Sequence, residues 1–205
     1  MLFRSAVIYH VSDWGTGIKD VFADRFVELG GEIVAEEGTP QTARDYRTQL
    51  SKVKAANPDY IYAPTYPGGA TALLKQAKEM GLTNKFLSGD AWSDTKLHTD
   101  VNGLGFDMQY VESKTNVSDE FKSKLLAKVG GEQVPLCATQ SYDATYVLAE
   151  ALKESGTNAE DLAEAIRDTV YDGVSGHIEF DGNGDLTTAS YVVKRITNGS
   201  SAEVE

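Results

Sequence analysis

Two groups of residues in this chain could do chemistry. The first is Gly15-x-Gly17 in "SDWGTGIKD" (12–20), which follows the apolar run "AVIYH" and opens a helical pattern. Strand, glycine pair, helix is the layout of a phosphate-binding loop, and Glu36 downstream stands where a ribose-binding acid is expected. Against a dinucleotide, Asp20 occupies the third glycine position and would set a carboxylate beside a pyrophosphate. A tight turn opening a helix, or a loop presenting Trp14 to a ligand, fits the same residues.

The second group is spread along the chain. Trp14 follows the first strand pattern, Tyr66 closes the third, and Asp90 with Trp92 closes the fourth in "SGDAWSD". Ligands of open parallel sheets sit beyond the carboxyl ends of the strands, so one rim can gather all four residues. Aromatic faces with one carboxylate suit an ammonium group, through charge-assisted hydrogen bonds and cation–π contact. Asp90 could instead cap a helix beginning near Asp94, and Tyr66 and Trp92 could simply pack at the rim.

Other patterns carry less. His10, His98 and His177 show no metal-ligand spacing. "GVSGH" (173–177) brings its last glycine one position too early for a nucleophile elbow. Cys137 reads as a buried or half-buried structural thiol. "DGNGDLT" begins like a calcium loop, but Leu186 replaces the required glycine and Val192 the bidentate acid, which leaves a polar turn. "NVS" (116–118) and "NGS" (198–200) match the glycosylation acceptor, a weak pattern.

The elements that must hold these residues alternate through the first half. Strands are expected at 6–10, 32–36, 60–66 and 85–90. Between them lie helices with Ile18, Val21, Phe22, Phe26 and Leu29, then Tyr46, Leu50 and Val53, then Leu73, Leu74, Ala77 and Met80 on their apolar faces. Crossovers of that size imply a doubly wound parallel sheet in an α/β fold. After a strand near 106–113 the pattern changes to helices near 118–129, 139–155 and 158–169. A β-hairpin is then expected over 176–196. The boundary falls near 112–117.

Bulk properties narrow the partners. The 205 residues are 41% hydrophobic and 24% charged, as in ordinary globular chains, and carry a net charge of −12. That charge disfavours nucleic acid and anionic membrane surfaces. A single cysteine excludes an internal disulfide. No stretch reaches the roughly 18 apolar residues of a membrane span, and the start is unlike a signal peptide.

Taken together, "DWGTG", "GGEIVAEEGTPQTARDYRTQLSKVKAANPDYIYAPTYPGGATALLKQAKEMGL", "FLSGDAWSD", "YDATYVLAEALKESG" and "DGVSGHIEFDGNGDLT" resemble type I periplasmic binding proteins, in particular the leucine/isoleucine/valine-binding components of ABC transporters. The resemblance covers about Ala6 to Asn198. It implies two α/β lobes: 6–112 the second lobe, 113–194 the remaining part of the first, and 195–205 a tail returning to the second. It implies a passive role, without catalysis or cofactor: a small, aliphatic amino acid held in an inter-lobe cleft and handed to a membrane permease, in the periplasm or at the cell surface. Carried over by motif, Trp14 contacts the ligand, Tyr66 packs on its amino group, Asp90 pairs with its ammonium and Cys137 touches its side chain. A ligand-sensing domain of a receptor or regulator shares this fold and remains the alternative, with a nucleotide-dependent oxidoreductase behind it. Gly69 stands where many relatives carry an acid, and Asp90 is one methylene shorter than the usual glutamate. The opening part of the first lobe has no counterpart, so the chain reads as a fragment whose 113–194 part lacks a partner for its apolar faces.

Overall fold

The computed structural model describes residues 3–115, 117–131 and 134–204. Met1 and Leu2 of the opening "MLFR" and Asn116 of the "NVS" acceptor lie outside them. The chain divides into two compact units, 1–112 with 192–205, and 113–191.

In the first unit, strands and helices alternate: β1 (Arg4–His10), α1 (Asp13–Glu28), β2 (Glu32–Thr39), α2 (Arg47–Ala56), β3 (Tyr60–Tyr62), α3 (Pro67–Glu79), β4 (Lys85–Ser88), a 3-10 turn (Asp90–Ser93), α4 (Thr95–Asp100) and β5 (Met108–Ser113). Strands β1 to β5 pair in parallel in the order β2-β1-β3-β4-β5. That is the doubly wound sheet that the alternating pattern implies. Ala6 and Ile8 of β1, Leu50 and Val53 of α2, Ile61 of β3, Leu73, Leu74 and Ala77 of α3 and Phe86 of β4 form one buried cluster. Burying a large aliphatic side chain stabilises by roughly 1.5–3 kcal/mol, so this cluster holds the strand ends in place.

Helix α1 departs from the expected face. Phe22 stacks on Tyr62 with ring centroids 4.0 Å apart and on Phe26 at 5.4 Å. Val21 and Leu29 are exposed, because Val21 points off the Phe22–Phe26 face and Leu29 is the C-cap beyond it.

The second unit contains α5 (Asp119–Val129), α6 (Ala138–Ser155), α7 (Ala159–Arg167) and a short hairpin, β6 (Tyr171–Gly173) with β7 (Gly176–Ile178). Its buried stripe on α6 is narrow: Thr139, Asp143, Val147 and Ala151 at every fourth position. Tyr142, Tyr146, Leu148 and Leu152 on the flanks of that stripe are exposed.

The hairpin expected over 176–196 forms only at its "DGNGD" tip, and its returning arm pairs elsewhere. Ile178 pairs backward with Tyr171, and the sequence around Asp181 closes a small turn bridged by Phe180 and Leu186. The returning segment forms β8 (Tyr191–Thr197) and joins the seven-stranded sheet beside β5, with β9 (Ser200–Glu203) antiparallel at its edge. Two tight turns won over one long hairpin. Asp181 accepts from the amides of Asn183 and Asp185, both at 2.9 Å. Asn198 and Gly199 both take positive φ, 53° and 75°, the conformation of a two-residue hairpin loop. No helix among the described residues is long and apolar enough to cross a membrane.

Candidate functional site

The carboxyl ends of β1, β3 and β4 build one rim. Ser12 caps α1, its hydroxyl accepting from the Gly15 amide at 3.0 Å, and places Trp14 in the first turn. The glycine pair is therefore helix, not phosphate loop. A Cβ on Gly15 would lie 2.0 Å from the His10 carbonyl oxygen, so Gly15 lets the helix start close against β1; Gly17 has open space. Glu36 and Asp20 are both engaged by the Lys19 ammonium. These contacts account for the residues that suggested a dinucleotide, and they leave no turn to cradle phosphate.

The segment after β3 is tied to both neighbouring strands. His10 donates its amide to the Pro64 carbonyl at 3.3 Å, Ala63 donates to Leu87 at 2.7 Å, and the Ser88 hydroxyl donates to the Ala63 carbonyl at 2.8 Å. Tyr66, 37% exposed, is thus fixed at the start of α3. Its ring stacks on Trp14 at 4.9 Å with an interplanar angle of 22°. Two aromatics named from strand ends 52 residues apart form one platform.

Asp90 opens the 3-10 turn that follows β4 and is half-buried. It does not cap α4. Asp94 does, accepting from the Leu97 amide at 2.8 Å. Asp90 acts on Tyr62, whose phenol is pushed up to about 12, first by burial and then by this carboxylate. Ile18, one turn after Trp14, abuts Gly89, so α1 and the Asp90 turn are adjacent.

Trp92 does not join the platform. It is fully buried, its indole N–H reaches the Thr65 hydroxyl at 3.4 Å, and its carbonyl is 2.7 Å from His98 Nε2. The 3-10 turn rotates Trp92 inward, so it packs the core beneath Asp90 and offers no face to a ligand. Cys137 is exposed, not a buried thiol. It sits with φ 61° at the N-cap of α6, in the second unit.

Sequence reasoning gave His10 no role and Tyr46 only a place on a helix's apolar face, and the structure puts both under the platform. His10 is fully buried; Nε2 lies 2.9 Å from the Tyr46 hydroxyl, and Nδ1 accepts from the Tyr66 amide at 3.2 Å. Burial, and secondarily the Arg44 guanidinium, lower its pKa. A Cβ on Gly69 would lie 2.5 Å from the Tyr46 hydroxyl and 2.7 Å from His10 Nε2. This pair leaves no room for a side chain at position 69. The only sequence signal was a histidine ending a strand.

In the second unit, Asp143 accepts from the Val174 and Ser175 amides at 3.0 and 2.7 Å and from the Ser175 hydroxyl at 2.5 Å. "GVSGH" is therefore a turn clasped by a buried acid.

A family model described as "Periplasmic binding protein" matches residues 4–200. An amino acid binding protein of Pseudomonas aeruginosa is 27% identical over 201 residues, covering 93% of this chain and 52% of that protein. A leucine-, isoleucine-, valine-, threonine-, and alanine-binding protein of the same organism is 25% identical over 193 residues, covering 92% and 52%. Among solved structures, a leucine binding protein of Thermotoga maritima superposes with a TM-score of 0.84 at 29% identity, covering 98% of this chain and 59% of the other. The chain thus spans about half the length of the curated relatives it matches.

Proposed function

We propose that this chain, which belongs to the periplasmic binding protein family, takes part in capturing a small aliphatic amino acid for an ABC transporter, in the periplasm or at the cell surface. The role is binding without catalysis. The relatives named for leucine or for several small amino acids support this ligand class. In this reading, 6–112 with the 195–205 tail corresponds to the second lobe of the family and 113–194 to the remaining part of the first.

The observation that carries the proposal is the Trp14–Tyr66 stack at 4.9 Å on the same strand-end rim as Asp90. An α-ammonium needs an anionic acceptor and gains from an aromatic face. Asp90 supplies the first; the Tyr66 ring, braced by Trp14, supplies the second. Trp92, being core, has no part in this.

The test is calorimetric titration of the 205-residue chain with a panel of natural amino acids. An aliphatic member is expected to bind best. Asp90→Asn is expected to weaken it at least tenfold, since a charge-assisted hydrogen bond is worth about 1.5–3 kcal/mol, and Tyr66→Ala by roughly threefold to tenfold. Binding that ignores Asp90→Asn would sink the ammonium assignment. The Cys137 contact rests on the resemblance alone, and unchanged affinity in Cys137→Ala would remove it.

A further inference from the structure

We infer that His10 is a positioning residue for the ligand platform: held as the Nε2-protonated tautomer, it fixes the Tyr66 backbone and with it the Trp14–Tyr66 stack. The inference rests on the proposed function only for its consequence for the ligand.

The Tyr66 amide has a specific need for this partner. Tyr66 is the N-cap of α3, has no side-chain cap of its own, and is followed by Pro67, which has no amide hydrogen. Unpaired donors at a helix start are costly when they turn inward. Nδ1 of His10 meets the Tyr66 donor at 3.2 Å, which requires a lone pair there. The proton of the neutral ring is then on Nε2, where the Tyr46 hydroxyl accepts it at 2.9 Å. The Tyr46 hydroxyl can in turn donate onward toward the Ala43 carbonyl at 3.5 Å. The His10 ring also lies against the Tyr66 ring, centroids 5.3 Å apart. One imidazole therefore sets both the backbone and the ring of Tyr66.

The surroundings keep the ring neutral. From the loop before α2 come the Tyr46 hydroxyl and the Arg44 guanidinium; from α3 come the Tyr66 amide and ring at its start and Gly69, which packs against Nε2 and brings no side chain. The charge among these is Arg44, which opposes a second positive charge, as burial does. If His10 gains a proton, Nδ1 becomes a donor facing another donor and the Tyr66 bond is lost. His98 differs: its Nε2 faces the Trp92 carbonyl at 2.7 Å, and a donor there survives protonation.

The experiment is ¹⁵N NMR on the whole chain across pH, with leucine titration beside it. Expected are an unprotonated Nδ1 at about pH 7.5 and a Tyr66 amide resonance that moves with His10 as the ring protonates below its usual range near 6.5. His10→Asn, whose side-chain oxygen reaches the Nδ1 position, should keep the Tyr66 bond and abolish that pH response; His10→Phe should lose the bond at every pH. With L-leucine as the probe, wild-type affinity should fall roughly fivefold or more between about pH 7.5 and the lower pH at which the NMR shows the His10 ring protonated, while His10→Asn stays flat. A protonated Nδ1, a Tyr66 amide that ignores His10, or a pH-dependent His10→Asn would each overturn the inference. No heat with L-leucine at either pH would count against leucine as the aliphatic ligand, and the NMR result on the unliganded chain would still decide the role of His10.

Discussion

Gly69 has no room for even one carbon, and what excludes it is the polar pair beneath the ligand platform. Gly69→Ala would press a methyl against the Tyr46 hydroxyl and His10 Nε2, both within 2.7 Å. Overpacking of a buried site costs about 1–3 kcal/mol. Urea unfolding of Gly69→Ala should show a loss in that range, and an unchanged midpoint would mean the pair can open. At this scale the sequence was readable where position alone carries the information: Trp14, Tyr66 and Asp90 are strand-end residues, and strand ends share a rim. It was not readable for His10, whose partners Tyr46 and Tyr66 lie 36 and 56 residues away. Nothing local distinguishes a histidine that meets a tyrosine from one that does not. Trp92 misled for a related reason. Two residues past Asp90, it lies on a 3-10 turn instead of an extended loop, and a rotation of the backbone exchanged rim for core.

Elements follow from caps and turns more than from apolar stripes. Helix α1 begins at Asp13 because the Ser12 hydroxyl takes the Gly15 amide. Ser12→Ala should cost about 1 kcal/mol and speed hydrogen exchange at the amides of residues 13–16, with the strands unaffected; unchanged protection there would show that the Gly15 approach to His10 fixes the start instead. In the second unit, Asp143 does for a turn what Ser12 does for a helix. Asp143→Asn turns an NH₂ toward donors that its carboxylate accepted, and a buried donor left unsatisfied costs about 1–3 kcal/mol. Exchange at Val174 and Ser175 should rise first in that variant. The sequence pattern gave α2 and α3 their buried faces correctly, since Leu50, Val53, Leu73, Leu74 and Ala77 all lie in the core. It failed over 176–196, where alternation permits either one long hairpin or two short ones. The choice was made by Asp181, which binds amides within its own turn, and by Asn198-Gly199.

At the scale of the molecule, the two units differ in what holds them and in how acid acts on each. The first has a continuous core across its sheet, whereas the second, among the described residues, buries a narrow stripe of α6 and Ile178 of β7. Hydrogen exchange should find the slowest amides in β1, β3 and β4. The histidines separate the units further. His10 and His98, in the first, have pKa values lowered chiefly by burial. Their unfolded counterparts protonate near about 6.5, so the unfolded state binds protons first, and the stability these neutral rings confer is lost as pH falls from about 6.5 through their lower folded values. His177, in the second unit, has its pKa raised by the Asp172 carboxylate, 2.5 Å from its Nδ1. Its contribution has the opposite sign: present below about 6.5 and lost as pH rises through the higher folded value. The exposure of His177 and Asp172 keeps that contribution small. Acidifying from about pH 7.5 to about pH 5.5 should therefore weaken protection in β1 and around α4 while leaving β6 and β7 as protected as before or slightly more. Exchange measured at both pH values and corrected for intrinsic rates checks this. Uniform loss across both units would place the acid sensitivity in groups other than these three histidines. Loss confined to the first unit and absent from a His10→Asn, His98→Asn double variant would place it in the two buried rings.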